Sequence, residues 1–131
     1  MKSRHELRES VFKILFQVEN TDLDYKELLE FEVDDVSGSE YVTRTLDDIS
    51  AKKEQIDEII SNNLKGWKLE RLSKMDRQIL RISTYEILFT DIPYKVSINE
   101  AVELSKKYSE KDESYKFING VLKGIVENST K

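Results

Sequence analysis

Arg4 and Arg8 stand one helical turn apart near the start of the chain, with Lys2 just ahead of them. At 100° per residue, Arg8 shares a helix flank with His5, Phe12 and Phe16. Such a flank could hold phosphates on its cations and an unstacked base against a phenyl ring. Guanidinium, imidazole and two rings at the border of an apolar stripe are unusual on a face that meets only solvent. Two or three phosphate contacts give modest affinity, so binding there needs a basic partner protein or a short, structured recognition site.

The inventory for catalysis is poorer. The chain has no cysteine and one histidine, His5, which excludes disulfides, thiolate zinc sites, cysteine nucleophiles and a multi-histidine metal centre. No glycine-rich phosphate loop is present. A Ser-His-Asp site would have to recruit His5 from the first turn of an N-terminal helix, with no sign of an oxyanion hole. Glu100 and Glu103 have the spacing of a Mg²⁺-binding pair, but no second pair is placed opposite, and Glu100 is expected to cap a helix. No catalytic residue, metal ligand or cofactor is therefore expected.

The chain is 131 residues long and 38% hydrophobic, enough for one compact domain. Its net charge of −5 argues against coating nucleic acid by charge alone. The sum conceals an uneven distribution. Residues 21–62 carry four bases against thirteen carboxylates, whereas residues 1–20 carry four bases against three acids and residues 63–131 thirteen against ten. The middle third repels polyanions, and the two ends could meet to attract one. No apolar run approaches the ~20 residues of a membrane span and the N-terminus has no secretory apolar core, so a soluble cytoplasmic protein is expected.

Positioning falls to helices, because one proline and four glycines are too few breakers for a many-stranded fold. Ser3 and Glu6 form a Ser-x-x-Glu box that starts the first helix, with Leu7, Val11, Ile14, Leu15 and Val18 as its buried stripe. Asp22 or Asp24 caps a short second helix through Leu28, Leu29 and Phe31, followed by an acidic turn from Asp34 to Gly38. One or two amphipathic helices span about 39–64, and Asn62, Asn63 and Gly66 mark a C-cap and linker. Two helical subdomains, about 1–65 and 66–131, are expected on either side.

A helix from about Leu69 to Phe89 is apolar nearly all round and should be the central element, with Lys74, Arg77 and Arg81 on a narrow polar strip. Asp76 and Glu86 project within its apolar arc and need partners; a local salt bridge is the simpler account of Glu86. Ser97 and Glu100 make a second Ser-x-x-Glu box, stapled by Val96 and Ala101. In the last helix Ile118, Val121, Leu122 and Ile125 form the stripe, and Gly120 and Gly124 predict close approach by another backbone.

Longer runs carry a resemblance. The stretch from Asp91 to Lys106, DIPYKVSINEAVELSK, resembles the signature of the NusB family of bacterial transcription antitermination factors. It is preceded by Asp76-Arg77-Gln78-Ile79-Leu80-Arg81 and Tyr85-Glu86, and followed by Lys116-Phe117-Ile118-Asn119-Gly120-Val121-Leu122. Arg8-Glu9-Ser10 and Leu15-Phe16-Gln17 look like the family's first helix. The match covers almost the whole chain in order.

The resemblance implies an all-α fold of about seven helices in two packed bundles, and a non-enzymatic role. That role is binding boxA RNA together with ribosomal protein NusE, in a complex with NusA, NusG and RNA polymerase that suppresses premature termination on ribosomal RNA operons. The family's arginine-rich first turn matches Arg4, His5, Glu6 and Arg8, with Lys2 ahead of it. Its helix-1 aromatic position matches Phe16. Lys116 and Phe117 match positions beside the same surface and are expected to meet RNA; Glu113, Asp76 and Phe12 are expected at the partner-binding edge. Family members also occur as homodimers that hide this surface. Related domains precede rRNA cytosine methyltransferases, an activity not expected of a chain ending at Lys131. The competing reading is a protein–protein adaptor or homodimer without an RNA role, in which Phe12 and Phe16 bury against another chain. Salt separates the two, since phosphate contacts weaken with ionic strength and apolar docking does not.

Overall fold

A computed structural model describes residues 3–32 and 36–129, apart from the side chains of 31–39. Seven α-helices and one 3-10 turn lie among these residues, with no strand. The helices form two compact units, Met1–Ala51 and Lys52–Lys131. None of the described helices is long and apolar enough to cross a membrane.

In the first unit α1 (Arg4–Asn20) packs against α2 (Tyr25–Glu32) and α3 (Val36–Ala51). The start of α1 is the expected capping box: Glu6 N–H donates to Ser3 Oγ and Ser3 N–H to Glu6 Oε1, both at 3.1 Å. Asp24 rather than Asp22 begins α2, its Oδ1 accepting from Glu27 N–H at 3.0 Å. Leu7, Val11, Phe12, Ile14, Leu28, Val42, Leu46 and Ile49 make the core. The buried arc of α1 is shifted from the expected stripe. It takes in Arg8 and Phe12, while Leu15 and Val18 are only half-buried. Val36 to Gly38 belong to the first turn of α3 instead of a loop; Asp34, Asp35, Lys2 and the Phe31 side chain lie outside the description.

The second unit comprises α4 (Lys53–Asn62), the 3-10 turn Leu69–Arg71, α5 (Lys74–Phe89), α6 (Tyr94–Tyr108) and α7 (Ser114–Ser129). The division falls at Ala51 and not near residue 65, because α4 packs on α5 and α7. Its Asp57 receives Arg81 bidentately, Nε to Oδ1 at 2.8 Å and a terminal nitrogen to Oδ2 at 3.0 Å. Arg81 therefore leaves the expected polar strip and is buried. The α4 helix ends at Asn62, and Gly66 takes the left-handed φ of 77° that reverses the chain.

The central role expected of α5 holds: every residue from Gln78 to Glu86 is buried. Its start is Ser73, whose Oγ accepts from Asp76 N–H at 3.1 Å, so Leu69–Arg71 is a separate turn.

The start of α6 corrects the second capping box. Pro93 is the N-cap, one turn earlier, and its carbonyl accepts from Val96 and Ser97 N–H. A proline needs no amide partner there and its fixed φ suits a helix entry. Ser97 thus sits inside the helix, buried, and donates its hydroxyl to Glu86 Oε1 at 2.9 Å. That bond gives the buried Glu86 carboxylate a hydroxyl partner from the next helix. Val96 is exposed and staples nothing.

Candidate nucleic-acid interface

The cap on α1 decides what its first turn can present. With Ser3 and Glu6 locked in the box, Arg4 and His5 project from a fixed helix end, and both are exposed. The Arg4 guanidinium lies over the Tyr41 ring of α3, 4.1 Å from its centroid. Such a contact, about 0.5–1 kcal/mol at an exposed site, holds the side chain without consuming its hydrogen-bond donors. The helix dipole adds positive potential at the same end.

One turn further on, the picture differs from the sequence expectation. Arg8 is 5% exposed and Phe12 2% exposed, so neither stands on an open ledge beside Arg4. The physical reason is the wider buried arc of α1: the flank that carries Arg8 and Phe12 is covered by the fold. Phe12 is thereby already packed within its own chain and has no ring face left for a second one. Phe16 is half-buried, stacked on Phe12 at 6.3 Å between centroids and 25° between planes. Among the described residues of the first unit, Arg4, His5 and, in part, Phe16 are the accessible members of the expected set.

The second unit brings three other expected residues to one place. Asp76, Glu113 and Phe117 line a single cavity of about 280 Å³, formed where the start of α5 meets the α6–α7 turn. Asp76 is fixed from two sides. It lies in the first turn of α5, where a carboxylate suits the dipole, and Ser109 at the end of α6 donates to its Oδ1 at 2.6 Å. Ser105 Oγ lies 3.1 Å from Ser109 Oγ and extends the chain of hydroxyls. Glu113 and Lys116 form an exposed pair at 3.2 Å, an interaction worth little in water and readily exchanged for another partner.

Trp67 is the residue the sequence reading missed. It is 58% exposed, lines the same cavity, and meets Phe117 edge-on at 6.4 Å and 65°. The signal was present: the chain's single tryptophan follows a glycine between two lysines, where a large ring has no helix stripe to join. Tyr41, which orients Arg4, had no such signal because its role depends on how α3 packs against α1.

Chemically, these groups can hold anions and rings. No group of three or more His, Asp or Glu among the described residues is arranged to hold a metal ion.

The model of the NusB family matches residues 5–127. The transcription antitermination protein NusB of Macrococcus caseolyticus is 45% identical over 128 residues, covering 96% of this chain and 98% of its own. Among solved structures, T. maritima NusB superposes with a TM-score of 0.90 at 41% identity, over 96% of this chain and 92% of that one. A structure of antitermination factors NusB and NusE in complex with double-stranded RNA gives 0.82 at 27% identity, over 95% and 96% of the respective chains. A helical chain that matches over nearly its full length in both sequence and fold belongs to the NusB family, a family of transcription antitermination proteins and not of enzymes.

Proposed function

We propose that this protein binds boxA-type nascent RNA together with ribosomal protein NusE, and that the pair joins NusA, NusG and RNA polymerase in the cytoplasm to keep ribosomal RNA operon transcription processive. The observation that carries the reading is the capped first turn of α1, where Arg4 and His5 are exposed and Arg4 is held over Tyr41. In the sequence, Lys2 precedes Arg4 by two residues and adds a further cation to the same stretch. Arg8 contributes potential from a buried position, and the half-buried Phe16 offers part of a ring. On the second unit, Lys116 and Phe117 meet RNA, while Asp76 and Glu113, sharing a cavity with Trp67, form the partner side. A solved relative of this fold binds NusE and RNA at 27% identity, which supports the same assignment here.

Few cations and an overall charge of −5 mean that RNA alone binds weakly and that a basic partner strengthens the complex. The test is fluorescence polarization of a boxA-like RNA with and without NusE, using wild type and Arg4→Ala. The expected result is tighter binding with NusE and a loss of about three- to tenfold in the variant, the range for one charge-assisted phosphate contact. Equal affinity of the two proteins under both conditions overturns the assignment.

A further inference from the structure

A groove of about 710 Å³ runs along the second unit between the end of α4 with its following turn and the outer face of α7. Lys65 and Trp67 stand on one side, Lys116, Gly120 and Lys123 on the other. On α7 these last three are spaced i, i+4, i+7, so they share a face over about 10 Å of helix. Only one carboxylate, Glu127, lines the groove against three ammonium groups. Lys65 and Lys123 form no ion pair among the described residues.

The two glycines of α7 separate what packing requires from what it leaves open. At Gly124 an added Cβ would meet Asn63 Oδ1 at 3.2 Å. That oxygen accepts from Asn128 at 2.6 Å, while Asn63 donates to the Ile59 carbonyl at 2.9 Å. Gly124 is thus part of the joint between α4 and α7. Gly120 has nothing within 4 Å of the same position, so no neighbour in the fold repays the weaker helix propensity of glycine. It leaves bare backbone on the groove wall between two lysines. Phe117 buttresses the exposed Trp67 indole beside it.

From this arrangement we propose that the groove is a second RNA subsite, which takes single-stranded nucleotides flanking the boxA-type segment. Lys65, Lys116 and Lys123 bind phosphates, a base stacks on Trp67, and the sugar–phosphate chain passes over Gly120. The inference rests on the RNA-binding reading above and extends it. Charge complementarity selects a polyanion, and the indole selects one with flat bases, because an acidic peptide has carboxylates but nothing to stack.

The test uses the full chain, the short boxA-like RNA, and the same RNA carrying about ten extra uridines at either end. Trp67 is the only tryptophan, so its fluorescence reports the site directly. The expected result is at least about fivefold tighter binding of one extended RNA, with a salt slope steeper by about 1.4 for the two phosphates added on Lys65 and Lys123. Lys65→Ala/Lys123→Ala should lose that advantage and keep the affinity for the short RNA. Gly120→Leu, whose Cβ meets nothing within 4 Å and whose branched end covers the bare backbone, should do the same with its thermal midpoint unchanged or raised. If the short RNA binds and neither extension gains, or if the double variant keeps the gain, the subsite is refuted while the α1 reading stands. If the short RNA fails to bind even with NusE present, the α1 reading falls. The groove is then judged by free oligouridine, which must quench Trp67 in wild type and not in the double variant. Equal quenching by a polyglutamate peptide overturns the assignment to nucleic acid.

Discussion

Arg81 on α5 grips Asp57 on α4 with two parallel bonds, at 2.8 and 3.0 Å, and both side chains are largely withdrawn from solvent. This fork ties the helix that follows the unit boundary to the central helix. Removing one partner strands the other charge. Asp57→Ala should lower unfolding stability by about 2–4 kcal/mol in urea, at the lower end of the buried range because Asp57 retains some exposure. Asp57→Leu combined with Arg81→Met should recover most of the loss. A single variant within about 0.5 kcal/mol of wild type would show that the pair is not structural.

Ser97 and Glu86 offer a test of the corrected helix start. If the serine serves the buried carboxylate, Ser97→Ala should cost about 1–3 kcal/mol while α6 keeps its helix content, since Pro93 still begins it. A serine acting as N-cap would instead lose the first turn of α6. Amide protection of Val96 to Ile98 by hydrogen exchange distinguishes the outcomes.

Gly120→Ala should stabilise the fold by up to about 1 kcal/mol, because the new methyl meets open space and the helix gains propensity. Gly124→Ala should not, since its methyl presses on Asn63 Oδ1. Chemical denaturation of the two variants side by side checks the contrast.

Tyr25 donates its hydroxyl to Asp47 Oδ1, and the bond to this carboxylate, with smaller help from burial and charge, pushes the phenol up from 10.0 to about 12. The folded state therefore favours the neutral phenol. The contribution is complete below about pH 10 and is lost as pH rises through about 12. Ultraviolet titration of wild type against Tyr25→Phe should show one late phenolate missing from the variant. The stability difference between the two should shrink across the same pH window. A difference spectrum titrating near pH 10 would contradict the bond.

Much of this architecture was legible because it follows from local chemistry. Ser3 with Glu6 announced the start of α1, apolar residues nearly all round the helix, at Met75, Ile79, Ile82, Leu88 and Phe89, announced the buried centre, and Asn63 with Gly66 announced the end of α4. The Ser97–Glu100 box failed because its spacing also arises when a serine inside a helix serves a distant carboxylate. Only tertiary packing reveals Glu86. Arg8 and Phe12 misled for a related reason: 100° arithmetic assigns a flank but not the width of the arc that neighbouring helices cover. Asp76 looked awkward in an apolar arc, and its resolution, a hydroxyl from Ser109 33 residues away, is invisible to periodicity.

The account depends on the first turn of α1 being where RNA lodges, and residue-resolved amide NMR during titration with boxA-like RNA and NusE tests this most directly. RNA added to the preformed NusE complex should shift the amides of Arg4, His5 and Glu6, and the Arg4→Ala complex should lose those shifts. Shifts absent from this turn at saturating RNA, or identical in wild type and variant, would contradict it.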